Sequence, residues 1–252
     1  MKKTKIDWAD STWNPVTGCL HDCEYCYARG IANRFGWGAD EPDINERVLY
    51  EIPVFDGKKQ PYPFDFAPTF HQYKLGEPAA WTKPRTIFVC SMADLFGDWV
   101  PDEWIEQVFE ACKAAPQHRY LFLTKNPIRY VDLADAGKLP NGKNFWYGST
   151  AANQGMDIFW ANEYNTFVSI EPILGRFDCC GLNKNNTFTD WIIIGAETGN
   201  RKDRVIPEKA WIDELAGYGK QADVPVFMKE SLRGLMGDDF RQEFPWEASG
   251  ND

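Results

Sequence analysis

Apolar residues recur along the chain in short runs, each followed by turn residues and then by a stretch with helical spacing. Thr86-Ile-Phe-Val-Cys-Ser91 is the first clear run, rich in the branched and aromatic side chains that suit a buried strand. Val100-Pro-Asp-Glu then opens a helix in which Trp104, Ile105, Val108, Phe109 and Cys112 share one face, with Pro101 and Asp102 suited to its start. Arg119–Thr124 repeats the strand pattern, and Asn126-Pro127 begins a short helix to about Ala134. Phe145–Ser149, Thr166–Ile170, Trp191–Gly195 and Val226–Met228 are further predicted strands, while Met156–Tyr164 and Pro207–Gln221 are predicted helices. This alternation predicts an α/β fold with a parallel sheet and right-handed crossovers. An open doubly wound sheet and a barrel both satisfy it.

Residues 36–84 break the alternation, being rich in Pro, Gly and aromatics. A connection this long within one domain spanning 1–252 reads as an active-site cover or small subdomain, the other reading being a structural insertion without a ligand. Elsewhere, polar residues stand directly after strands: Ser91 and Asp94, Thr124 and Lys125, Ser149 and Thr150, Glu171, Glu197, and Lys229 with Glu230. Ligand sites of parallel α/β folds collect at the carboxyl ends of strands, so these residues mark a candidate active-site face. Glu171 and Glu197 would be costly to bury unpaired. They either bind ligand, tie down backbone, or pair with a cation such as Lys125 or Arg204.

The 252 residues suffice for a sizeable core, and 44% hydrophobic with 25% charged residues is ordinary for a globular chain. The longest strongly apolar stretch, Trp191–Ala196, falls far short of the roughly 20 residues that span a bilayer. The opening Met-Lys-Lys-Thr-Lys-Ile-Asp-Trp has no apolar core of an export signal, so a cytoplasmic location with reduced thiols is expected. A net charge of −10 opposes broad nonspecific attraction to nucleic acid, while leaving room for a local basic groove.

The cysteines carry the most specific chemistry. Cys90 lies inside an apolar strand and Cys112 on a buried helix face, as small core residues do; the adjacent Cys179 and Cys180 are a weaker candidate for an accessory cluster. Cys19, Cys23 and Cys26 are different, because they fall on one loop leading into a predicted helix over Tyr27–Phe35. Soft thiolates select iron-sulfur clusters, zinc or copper(I). Three of them leave one iron of a four-iron cubane open to another ligand. A zinc tetrahedron completed by His21 or a remote group is the competing reading, disfavoured by the tightness of the loop and the absence of a second short cysteine hook.

Cys-x3-Cys-x2-Cys with Tyr25 before the third cysteine resembles the signature of the radical SAM superfamily. Trp13-Asn-Pro-Val-Thr-Gly-Cys19, Lys83-Pro-Arg85, Ser91-Met-Ala-Asp-Leu-Phe96, Leu123-Thr-Lys-Asn-Pro127, Ser169-Ile-Glu-Pro-Ile-Leu-Gly175 and Trp191-Ile-Ile-Ile-Gly-Ala-Glu197 look like blocks of a phage-associated radical SAM-like family, distantly similar to spore photoproduct lyase. The resemblance implies a partial (β/α)6 TIM-like barrel with an insertion after the cluster-loop helix. It implies that Cys19, Cys23 and Cys26 hold one 4Fe-4S cluster, whose open iron is chelated by S-adenosyl-L-methionine. That cofactor would be cleaved to a 5′-deoxyadenosyl radical that abstracts hydrogen from substrate.

By the same resemblance Tyr25 lies near the adenine, and Ser149 is a ribose or carboxylate contact. The Gly-Gly-Glu run of many relatives is absent here; Ser91 and Asp94 stand at the corresponding strand end as acceptors for the methionine amino group. Glu171, Glu197 and Lys125 are the candidate catalytic residues. The implied partners are a low-potential electron donor, such as flavodoxin or ferredoxin, and a nucleobase-containing substrate, a nucleotide or nucleic acid. The alternative from another class is a noncatalytic, zinc- or cluster-stabilised phage accessory binding protein.

Overall fold

A computed structural model describes residues 4–36, 43–51, 54–55, 58–178, 188–199 and 201–247. Cys179 and Cys180 lie outside the described residues. The chain divides into two compact units, Met1–Phe145 and Trp146–Asp252. Among the described residues no helix is long and apolar enough to cross a membrane.

The first unit contains β1 (Ser11–Trp13), β2 (Val16–Thr17), α1 (Tyr27–Phe35), β3 (Val48–Leu49), β4 (Val54–Phe55), β5 (Lys58–Lys59), β6 (Thr69–His71), α2 (Glu77–Ala80), β7 (Thr86–Val89), α3 (Asp102–Lys113), β8 (Arg119–Thr124) and α4 (Ile128–Asp135). The second contains β9 (Phe145–Thr150, its first residue shared with the boundary), β10 (Asn165–Ile170), β11 (Ile192–Ile194), α5 (Lys209–Ala222), β12 (Val226–Met228) and α6 (Arg233–Met236). The main sheet has seven strands in the order β1-β7-β8-β9-β10-β11-β12, and the pairings β1·β7, β7·β8, β9·β10, β10·β11 and β11·β12 are all parallel. The expected α/β class with a parallel sheet is therefore the observed one.

In the first unit the helical face of α3 is the one read from spacing: Trp104, Ile105, Val108, Phe109 and Cys112 are all buried. Phe109 meets Phe122 of β8 edge-on at 5.4 Å, and Phe96 meets Tyr130 of α4 at 4.5 Å. Such aromatic pairs add roughly 0.5–1.5 kcal/mol each beyond the area they bury. In the second unit Ile192, Ile194, Val226 and Met228 are covered by Ile212, Leu215 and Ala216 of α5. Strands buried on both faces carry continuous apolar runs, which is why they were legible.

Three elements depart from the expected pattern. β1 precedes the first clear strand and pairs parallel with β7 over Ser11–Trp13; three residues with polar Ser11 and Thr12 carry no strand signature. β7 stops at Val89 because Cys90 takes a left-handed φ of 58°, turning the chain before Ser91. The predicted Met156–Tyr164 helix does not form. There the Ser149 hydroxyl accepts from the Phe159 N–H at 2.9 Å and the Met156 sulfur accepts from the Ala152 N–H at 3.2 Å. Side chains thus compete for amides and buried Phe159 anchors the segment locally.

Among the described residues of 36–84, β6 pairs antiparallel with β2 and parallel with β3 in a small sheet of order β2-β6-β3, and β4 pairs antiparallel with β5. β2 leads directly into Gly18 and Cys19, so this small sheet supports the start of the cysteine loop.

Candidate cluster and cofactor site

The cysteine loop is pinned at its beginning from two sides. Gly18 donates its N–H to Met92 O at 2.9 Å, and Cys19 donates to Phe66 O at 3.1 Å. Gly18 has φ +89°, and a Cβ there would stand 2.2 Å from Ala67 O, so only glycine permits this approach. The loop ends by entering α1, where Cys26 is the N-cap and its sulfur accepts the Arg29 N–H at 3.4 Å. Ala28, Ala32, Tyr62, Phe66 and Met92 form an apolar floor against which Cys19 and Cys26 pack.

All three thiols are half-buried. Burial pushes the Cys19 thiol up to about 11; the His21 backbone N–H opposes this, while Asp94, Cys23 and Cys26 add to it. Cys23 is raised by burial and by Cys26, against the pull of Lys125, a hydrogen bond from Tyr25, and Arg29. The three sulfurs thus feel one another, and no two are oxidised to a disulfide.

Three soft thiolates on one loop are a donor set that an iron-sulfur cluster can take. Among the described residues no group of three His, Cys, Asp or Glu side chains is arranged to hold a metal ion. His21, the fourth donor of the zinc reading, is turned away to Asp94 at 2.8 Å.

Several other predicted residues gather around this loop. The Ser91 hydroxyl donates to Asn14 Oδ1 at 3.1 Å, and Ser91 O accepts from the Tyr27 hydroxyl at 2.7 Å. Asp94 is 5% exposed, and its oxygens accept from His21 Nε2, Phe96 N, Thr124 Oγ1 and Lys125 N at 2.8, 3.0, 2.8 and 2.9 Å. Lys125 Nζ lies 5.7 Å from the centre of the Tyr25 ring, a cation–π contact on the residue between Cys23 and Cys26. Cys19, Cys23, Cys26, Tyr25, Ser91, Asp94 and Lys125 therefore belong to one constellation of the first unit.

The remaining candidates belong to the second unit. Ser149 is fully buried and holds Phe159 N. Glu171 forms an ion pair with Lys229, both half-buried. A Cβ on Gly195 would stand 2.9 Å from Lys229 Cδ and 3.1 Å from Glu171 Cγ, so glycine leaves room for the pair across the end of β11. Glu197 takes both Arg201 nitrogens, at 2.6 and 2.8 Å, and Val205 N at 3.2 Å. Hydrogen bonds from Arg201 hold its carboxyl below the usual carboxylate range, with Arg204 adding at longer reach. The cations paired with these carboxylates are Lys229 and Arg201; of the two named from the sequence, Arg204 acts on Glu197 at longer reach.

Asn14 is not marked as a site residue by the sequence, and His21 only as a fourth zinc donor, yet each ties the loop region together. Asn14 Oδ1 accepts from Ser91 Oγ and Met92 N, and Asn14 O accepts from Lys74 Nζ at 3.2 Å. Its signal was available, since Asn14 is a polar residue directly after β1, but β1 itself was not recognised.

The parallel sheet makes this an α/β protein, and solved structures of spore photoproduct lyase share its TIM-like fold. The complex with dinucleoside spore photoproduct superposes with a TM-score of 0.54 at 11% identity, covering 90% of this chain and 79% of that one. A cysteine-to-serine mutant of the lyase gives 0.51 at 12% identity, covering 91% and 81%. By sequence, residues 3–237 match the family described as "Protein of unknown function (DUF5131)", and the chain belongs to that family. No curated protein matches it.

Proposed function

We propose that this protein is a radical SAM enzyme. The observation that carries the reading is the loop of Cys19, Cys23 and Cys26, three half-buried thiols of which Cys19 and Cys26 pack on an apolar floor, in a chain that shares the fold of spore photoproduct lyase. These cysteines would hold one 4Fe-4S cluster. When bound, the cluster supplies the electron for reductive cleavage of S-adenosyl-L-methionine; the protein supplies position and exclusion of water.

Tyr25 within the loop and Ser91 beside α1 are the candidates to orient the cofactor, Tyr25 through its ring and Ser91 through its hydroxyl. Lys125, held over Tyr25, offers a cation for a carboxylate or phosphate oxygen. In the second unit, the Glu171–Lys229 pair presents a half-buried acceptor and donor for substrate polar groups. The dinucleoside bound by the similar lyase supports a nucleobase-containing substrate, and an external low-potential carrier would deliver the electron.

The test is anaerobic reconstitution with iron and sulfide, followed by dithionite and S-adenosyl-L-methionine. Formation of 5′-deoxyadenosine and methionine is expected, dependent on all three cysteines. Protein that carries about four irons per chain yet forms neither product would refute the reading.

A further inference from the structure

The Asp94 carboxylate accepts four hydrogen bonds, from His21 Nε2, Phe96 N, Thr124 Oγ1 and Lys125 N. A carboxylate offers about four lone-pair sites, so these fill it from within the protein. At 5% exposure little of it is left for an outside ligand. The sequence suggested a different role, as acceptor for the amino group of S-adenosyl-L-methionine.

What the four donors connect is informative. Phe96 N belongs to the turn after β7, Thr124 ends β8, and Lys125 follows it. His21 stands between Cys19 and Cys23. The loop there is conformationally costly: Asp22, next in the chain, has a left-handed φ of 53°. Leu20 on the other side is 54% exposed and contributes little packing. His21 is by contrast held twice, by Asp94 and by an edge-to-face contact with Trp99 at 4.8 Å and 79°. Through Lys125 N the same carboxylate places the side chain whose ammonium lies over Tyr25.

We propose that Asp94 and His21 form a positioning clamp that sets the separation of Cys19 and Cys23 before any cluster is present, with His21 acting as a strut and not as a ligand. The clamp rests on the reading of these thiols as cluster ligands, but its geometry belongs to the protein without the cluster. Two readouts therefore separate it from that reading.

In the cluster-free protein, His21→Ala should speed amide hydrogen exchange across residues 19–26 by roughly tenfold or more, the worth of a hydrogen bond to a charged group. Exchange in α3 and α5 should not change. His21→Gln, which keeps a side-chain N–H donor, should return the loop to within about twofold of the parent. After reconstitution, His21→Ala should lower iron per chain and shift the electron paramagnetic resonance signature of the reduced protein, and His21→Gln should restore both. Unchanged loop exchange in His21→Ala, or a Gln variant no better than Ala in exchange and spectrum, overturns the clamp. A parent protein that takes up no iron would overturn the cluster reading, while the exchange comparison would still decide the clamp.

Discussion

Mild acid should loosen the small sheet that leads into the cysteine loop, because His71 cannot accept a proton where it sits. His71 of β6 is completely buried, its Nε2 lies 2.8 Å from Thr17 Oγ1 of β2, and its Nδ1 is buried without a hydrogen-bond partner. Burial, aided by the Lys74 cation, pulls the imidazole from 6.5 down to about 3. The unfolded chain takes up a proton near 6.5 and the folded chain does not, so stability is full above that pH and is lost as pH falls towards 3. At pH 5 the linkage amounts to about 2 kcal/mol, or ~30-fold in the folding equilibrium. Urea unfolding at pH 7.5 and pH 5, compared for the parent and His71→Phe, isolates it, because other titrating groups cancel between the two proteins. The parent should lose about 2 kcal/mol more than the variant on acidification. An acid-induced loss that is equal in both, within about 0.5 kcal/mol, would refute the reasoning.

Gly18→Ala should cost more than about 2 kcal/mol, from the strain of φ +89° and the clash with Ala67 O; urea unfolding and iron content should fall together. Glu197→Gln should destabilise by about 2 kcal/mol, since it strips the charge from a carboxylate whose side chain is 2% exposed and paired with Arg201. Because the Glu197 carboxyl is held below 4.5 in the folded chain, its contribution is full above that pH and fades below it, where the unfolded chain takes up the proton first, which thermal melts at pH 7 and pH 4 would track. Cys23→Ser should keep the far-ultraviolet circular dichroism of the parent, because the sheet and its core form without that sulfur, and should lose iron binding. A variant that unfolds would point instead to a structural metal on which folding depends.

Strands β8, β9, β10 and β12 and helices α3 and α5 could be read from the chain because each buries a continuous apolar run or a single helical stripe. β1 was invisible for the opposite reason: Ser11, Thr12 and Trp13 become a strand only because β7 offers its edge. Met156–Tyr164 does not form a helix, and there the Phe159 N–H goes to the Ser149 hydroxyl instead of to a backbone carbonyl one turn earlier. The position of polar residues after strands is legible in the sequence, but their pairings required three dimensions.

The sequence alone determined the spacing of the three cysteines and the layered class, since cysteine spacing is local and burial imposes its period on the residues that line a sheet. Partnership was decided only in the folded chain. Asp94 meets His21 across 73 positions and Glu171 meets Lys229 across 58. Which carboxylate takes which donor is set by how strand ends are brought side by side, and no local pattern records that. The loop of Cys19, Cys23 and Cys26 is therefore written in eight consecutive residues, while the support that shapes it comes from Phe66 and from Met92 and Asp94 in the turn after β7, all far from the loop in sequence.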